Sequence, residues 1–177
     1  AACIGQGLYY LLGALDADFE KSPEMLEKIG EVFRKHYESY FREHSEPYDG
    51  LYPFLKEWPY ETAICSNKWE YYIKEIIKQN PWNEIQWTAV IGGDTLPTKK
   101  PDPAPIEAIL KKSKCKAKDT VIVGDGEPDV LVAQETGIKC IAVSYGYGDI
   151  EELMDLGADA KIDNLRDLPE TLVKVLS

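Results

Sequence analysis

Three short stretches of this chain carry side chains able to do polar chemistry. "VIVGDGEPDV", residues 121–130, breaks an apolar run at Gly124 and places carboxylates at Asp125 and, four residues on, Asp129. "ICSNK", residues 64–68, ends another apolar run in Ser66 and Asn67. "TKKPDPAP", residues 98–105, sets Lys100 directly ahead of Pro101, Pro103 and Pro105, which stiffen the backbone around it. Oxygen ligands with room for waters suit Mg²⁺, which takes few protein carboxylates and keeps positions for phosphate oxygens. A lysine held still beside such a cluster can neutralise phosphate charge as a point cation. A hydroxyl between a strand and a helix N-terminus can donate to an anion. Each residue also has a plainer reading. Ser66 can be an N-cap that only ends a helix, Lys100 a surface lysine, and Asp125 and Asp129 an acidic first turn favoured by the macrodipole.

The elements that must position these residues follow from periodicity. Short apolar runs at Thr62–Cys65, Ala89–Ile91, Thr120–Val123, Cys140–Val143 and Ala160–Ile162 alternate with amphipathic stretches. Those stretches, about Trp69–Gln79, Ala104–Lys112, Asp129–Glu135 and Ile150–Leu156, predict helices. Strands alternating with helices imply parallel crossovers, and so an α/β fold: a Rossmann-like parallel sheet with helices on both faces. In such sheets ligands bind beyond the carboxyl ends of the strands, which is where Ser66, Lys100 and Asp125 lie. Gly137 is a C-terminal stop for the third of these helices.

The first part of the chain is different. Leu8–Leu15 predicts a short helix. Ser22-Pro23 starts a longer one, on which Leu26, Ile29, Phe33, Tyr37 and Tyr40 recur at three- and four-residue steps as one apolar face. A turn-rich segment, "SEPYDGLYPF" at 45–54, separates the two regimes. Residues 1–47 therefore read as a small helical cap and 48–177 as the α/β core.

Charge narrows the partners. The 177 residues carry a net charge of −11 and are 44% hydrophobic. The first number argues against a nucleic-acid backbone or an anionic membrane as partner, and the second supports a real core. Cys3, Cys65, Cys115 and Cys140 are scattered with no C-x-x-C spacing, which fits free thiols in a reducing, cytoplasmic setting. No apolar run approaches 18 residues, so no membrane-spanning helix is predicted. His36 and His44 lack metal-ligand spacing.

The order of the three stretches, hydroxyl then lysine then carboxylate pair, resembles the haloacid dehalogenase superfamily. "TAICSNK" looks like its second motif, "KKPDP" its third and "GDGEPD" its fourth. "VIGGDTLPTKKPDPAP" resembles the phosphoglycolate phosphatase-like branch, and "IGQGL" resembles the start of a cap helix there. The resemblance implies a Mg²⁺-dependent phosphatase acting on a small phosphorylated metabolite, with 2-phosphoglycolate the first candidate. Ser66 and Asn67 would contact the phosphoryl group, and Lys100 would stabilise its charge. Asp125 would bind Mg²⁺, and Asp129 would ligate through water or orient Asp125. Gly126 departs from the pattern, since many relatives carry a hydroxyl there.

The superfamily's first motif supplies a nucleophilic Asp and an acid–base Asp near the N-terminus, on the central strand of a sheet ordered 3-2-1-4-5. "LLGALDADFE" offers Asp16 and Asp18 in that guise. Phe19-Glu20 replaces the Gly-Thr that would turn the chain over the site, so these aspartates read as part of the cap. The first motif is then expected on a separate N-terminal segment, and residues 1–177 alone are expected to be inactive. A sugar-phosphate mutase of the same fold and a non-catalytic module that keeps the fold are the alternative functions. A metal-free dehalogenase fits the paired carboxylates less well. Gly5, Gln6 and Arg34 are conceivable specificity residues of the cap.

Overall fold

The computed structural model describes residues 8–15, 22–79 and 81–177. Two helices come first, α1 (Leu8–Leu15) and α2 (Pro23–His44), followed by a short α3 (Leu51–Lys56). Strands and helices then alternate: β1 (Thr62–Cys65), α4 (Glu70–Gln79), β2 (Trp87–Ile91), α5 (Ala104–Ser113), β3 (Val121–Gly124), α6 (Glu127–Thr136), β4 (Lys139–Val143), α7 (Ile150–Leu156), β5 (Ala160–Ile162) and α8 (Leu168–Leu176).

Every strand pair is parallel. β1 pairs with β2, placing Ala63 opposite Ala89 and Cys65 opposite Ile91. β3 pairs with β4, from Val121 opposite Lys139 to Gly124 opposite Ala142, and β4 pairs with β5. β1 and β3 are not hydrogen-bonded to each other, so the strands form a two-stranded and a three-stranded sheet. Between the two lies a cavity of about 1820 Å³ whose walls include all of β1 and all of β3.

β4 shows why the larger sheet holds together. Its side chains alternate faces, as a strand's must. Cys140 and Ala142 pack with Val130 and Ala133 of α6, Leu153 of α7 and Ala158. Ile141 and Val143 pack on the other face with Ile162 of β5, Leu168 of α8 and Phe54 of α3. A further cluster joins Ile106 of α5 to Val132 of α6 and Ile138. Helices thus cover both faces of a parallel sheet, as the alternating pattern predicts.

α2 begins at Pro23 with Ser22 as its N-cap residue, though the Ser22 side chain makes no capping bond. Its apolar face is rotated from the expected one. Phe41 is 2% exposed and Tyr40 is 58% exposed, because Phe41 and Tyr37 both meet Tyr72 of α4, each with ring centroids 5.0 Å apart. α3 and α8 were absent from the expected elements. α3 is six residues long and starts inside the turn-rich segment, too short for a helical period to show.

Candidate functional site

The carboxyl ends of β1, β2 and β3 converge on one lysine. Lys100, on the loop after β2, is 8% exposed, and Asp129, in the first turn of α6, is 9% exposed. The Lys100 ammonium donates to Asp129 Oδ1 at 2.5 Å and to the backbone carbonyl of Cys65, the last residue of β1, at 2.8 Å. An ammonium has three N–H donors; these two bonds leave one. Asn67 closes the ring, its side-chain amide donating to the Lys100 carbonyl at 2.9 Å. The Lys100–Pro101 peptide is cis. The surface-lysine reading of Lys100 is therefore incorrect. Lys99 is only half buried, and that partial burial lowers its pKa.

Asp129 has two jobs. Its Oδ1 pairs with Lys100, and its Oδ2 accepts the Gly126 N–H at 3.2 Å, capping α6. A Cβ on Gly124 would stand 2.4 Å from the Asp129 Cγ, so β3 can end beside this carboxylate only if residue 124 is glycine. Asp125, the next residue, lines the cavity. Its Oδ2 accepts the Tyr147 N–H at 2.8 Å, and among the described residues Oδ1 has no donor.

Ser66 is not the N-cap of α4. Its Oγ accepts the Lys68 N–H at 3.2 Å, and its own N–H continues the sheet to Ile91 O at 2.9 Å. The start of α4 is capped instead by Asp94 from the loop after β2, which accepts the Glu70 N–H at 2.7 Å. That amide is spent, so the helix-end amides expected beside Ser66 for an anion are partly committed. Ser66 and Asn67 still line the cavity together with Lys100, Asp125 and Asp129. All five residues singled out in the sequence thus border one space.

From the other side, α2 leans over the β1–α4 loop. Arg34 stacks on Trp69 with its guanidinium 5.2 Å from the ring centroid. The Lys68 ammonium hydrogen-bonds the Tyr37 hydroxyl. Asp16, Asp18, Gly5 and Gln6 lie outside the described residues.

The residues that sequence reasoning passed over are Tyr145 to Gly148. They follow β4, and the rule that strand ends carry the site pointed at them as much as at the other strand ends. Two glycines in "SYGYG" were the available signal.

The donor set fits a divalent cation of the Mg²⁺ type. Among the described residues no group of three or more His, Cys, Asp or Glu side chains converges. Asp125 with an open oxygen, beside a second carboxylate and a cavity, suits an ion that takes one or two carboxylates and completes its shell with water and phosphate.

Comparison with known proteins agrees with this geometry. The model of the haloacid dehalogenase-like hydrolases matches residues 3–143. A phosphoglycolate phosphatase of Pseudomonas fluorescens is 39% identical over 109 residues, which are 61% of this chain and 39% of that protein. One from Vibrio parahaemolyticus is 28% identical over 177 residues, covering 96% of this chain and 77% of its own length. Against the first relatives the chain thus spans well under half their length, 39% and 42% in two Pseudomonas proteins. The fold matches a Haemophilus somnus protein predicted to be a phosphoglycolate phosphatase, with a TM-score of 0.79 at 20% identity, covering 96% of this chain and 79% of that one. The chain belongs to the haloacid dehalogenase-like hydrolase family, on the branch that holds these phosphoglycolate phosphatases.

Proposed function

We propose that this chain forms most of a Mg²⁺-dependent phosphatase for a small phosphate monoester, with 2-phosphoglycolate the first candidate. The observation that carries the proposal is the buried Lys100, which joins the ends of β1 and α6 and keeps one N–H toward the cavity that Ser66, Asn67 and Asp125 share. The relatives' names support the substrate.

In this reading Ser66 and Asn67, which line the cavity beside Lys100, contact the phosphoryl oxygens. Lys100 offsets their charge as it develops, in a site where such charge stabilisation is large. Mg²⁺, held by Asp125, would supply further charge stabilisation and orientation. Asp129 holds Lys100 in place and would ligate the ion through water or orient Asp125. In this reading neither carboxylate is the nucleophile: both Asp129 oxygens are engaged, and the Asp125 oxygen that Tyr147 leaves open is assigned to the ion. The phosphoryl acceptor then belongs on a strand seated between β1 and β3. There it would satisfy both unpaired edges and bring a carboxylate to the level of Lys100. Residues 1–47 act as the cap above it, and residues 48–177 as the core.

The test is made on the protein with that strand included. Hydrolysis of 2-phosphoglycolate should require Mg²⁺ and stop with chelator. Asp125→Asn should abolish both turnover and Mg²⁺ binding by calorimetry. Residues 1–177 alone should be inactive. Unchanged Mg²⁺ binding in Asp125→Asn would sink the metal assignment.

A further inference from the structure

The turn after β4 enters none of the motifs above, yet it grips Asp125 from several sides. Tyr147 N–H donates to the Asp125 Oδ2 at 2.8 Å, and Gly148 N–H donates to the Asp125 backbone carbonyl at 3.0 Å. A Cβ on Gly146 would stand 2.1 Å from the Asp125 Cβ and 2.5 Å from its Oδ2. A Cβ on Gly148 would stand 2.2 Å from the Asp125 carbonyl oxygen. No side chain fits at either place, so the turn and Asp125 pack as one unit. The turn is itself braced. Tyr145 meets Tyr48, on the segment between α2 and α3, edge to face with ring centroids 5.1 Å apart.

We propose that the Tyr145–Gly148 turn is a positioning device for Asp125. It occupies one carboxylate oxygen with a backbone donor, blocks the alternative side-chain orientations with Gly146, and leaves the other oxygen for the cation. The inference rests on the reading of Asp125 as the Mg²⁺ ligand. The physical reason is pre-organisation. A ligating carboxylate free to rotate must be ordered when the ion binds, whereas one held by an outer-shell donor is already aimed. Loss of such outer-shell partners typically costs 10–100-fold in metal affinity. The Tyr48 contact carries the same turn to the segment that follows α2.

The experiment uses the complete protein and Mg²⁺ alone, without substrate. Gly146→Ala should weaken Mg²⁺ binding about 10–100-fold by calorimetry. Gly157→Ala is the control: it strains a left-handed position with φ +112° at the C-terminal end of α7, where the added Cβ meets Gln134 and not Asp125. It should lower the melting temperature and leave Mg²⁺ affinity as it was. The double variant Asp125→Gly/Gly146→Ala should melt no lower than Asp125→Gly, because the added methyl then meets no side chain at 125. Should Gly146→Ala fail to fold, the unmodified protein still decides the matter. Its Tyr147 amide resonance should shift on Mg²⁺ titration with the calorimetric affinity. Unchanged affinity in Gly146→Ala, or a Tyr147 amide that ignores Mg²⁺, would overturn the inference while Asp125→Asn still abolished binding. Binding retained in Asp125→Asn would instead remove the reading beneath it.

Discussion

β4 and β1 are both short parallel strands of apolar residues, yet they end in different environments. In β4, Cys140, Ile141 and Ala142 are each 1% exposed or less, with a strand on each side and helices on both faces. Among the described residues β1 pairs only with β2, and none of its four residues is fully buried. β3, across the cavity, pairs among the described residues only with β4 and leaves Val123 42% exposed. The contrast shows that an apolar sequence does not bury itself. A parallel strand is covered when it has both lateral neighbours, and "TAIC" and "VIVG" have one each. The site is built across this boundary: Ser66 and Asn67 end the thinly covered half, and Asp125 and Asp129 start from the well-covered one.

The largest expected effect tests the boundary itself. In residues 1–177 alone, amide hydrogen exchange should leave β4 protected up to global unfolding, while the cavity-facing amides of β1 and β3 exchange freely. Adding the strand proposed to sit between β1 and β3 should protect both edges. Equal protection in all three strands before that addition would show that β1 and β3 are already satisfied. Next comes the bond that crosses between the halves. Lys100→Ala leaves Asp129 buried without its partner and should cost about 3–5 kcal/mol in stability. It should also lower turnover about a hundredfold, on the order of 3 kcal/mol in the barrier. Lys99→Ala should change neither much. Comparable losses for the two lysines would mean that general positive charge, and not the Lys100 bridge, joins the halves.

The same boundary separates what the sequence disclosed from what it did not. All five strands were legible, because each is an apolar run between turn formers and the alternation with helices is regular. Ser66, Asn67, Lys100, Asp125 and Asp129 were legible because each follows a strand. The Lys100–Asp129 pair was not, since residues 29 apart in sequence meet only through the packing of α6 against β3. Nor was the exchange of caps at α4. The Asp94 carboxylate reaches the Glu70 N–H only because β2 lies beside β1. Phe41 displaced Tyr40 from the inner face of α2 because Tyr72 offers an aromatic edge there, information that lies on another helix.

The smallest effect concerns two thiols, one in each half. Burial raises the pKa of both Cys140 and Cys65. Cys140 goes from the ordinary 9.0 to about 12, helped by the charges of Asp129 and Asp159. Cys65 is raised as well, with the Lys100 charge opposing the shift. In the unfolded chain a thiol loses its proton as the pH passes its ordinary value of 9.0. In the folded protein Cys140 keeps it until about pH 12. Between those values the folded state binds more protons, so stability falls as pH rises. For one such group the slope approaches about 1.4 kcal/mol per pH unit. Below pH 8 the thiol is neutral in both states and contributes no pH dependence. Melting the protein from pH 8 to 11 should therefore show a declining alkaline limb that Cys140→Ala makes shallower. The substitution also lowers the plateau through lost packing, so the slope is the quantity to compare. Cys65→Ala should flatten it less. If Cys65→Ala flattened it more, the β1 half would be the more deeply desolvated of the two, and the contrast between the sheets would be reversed.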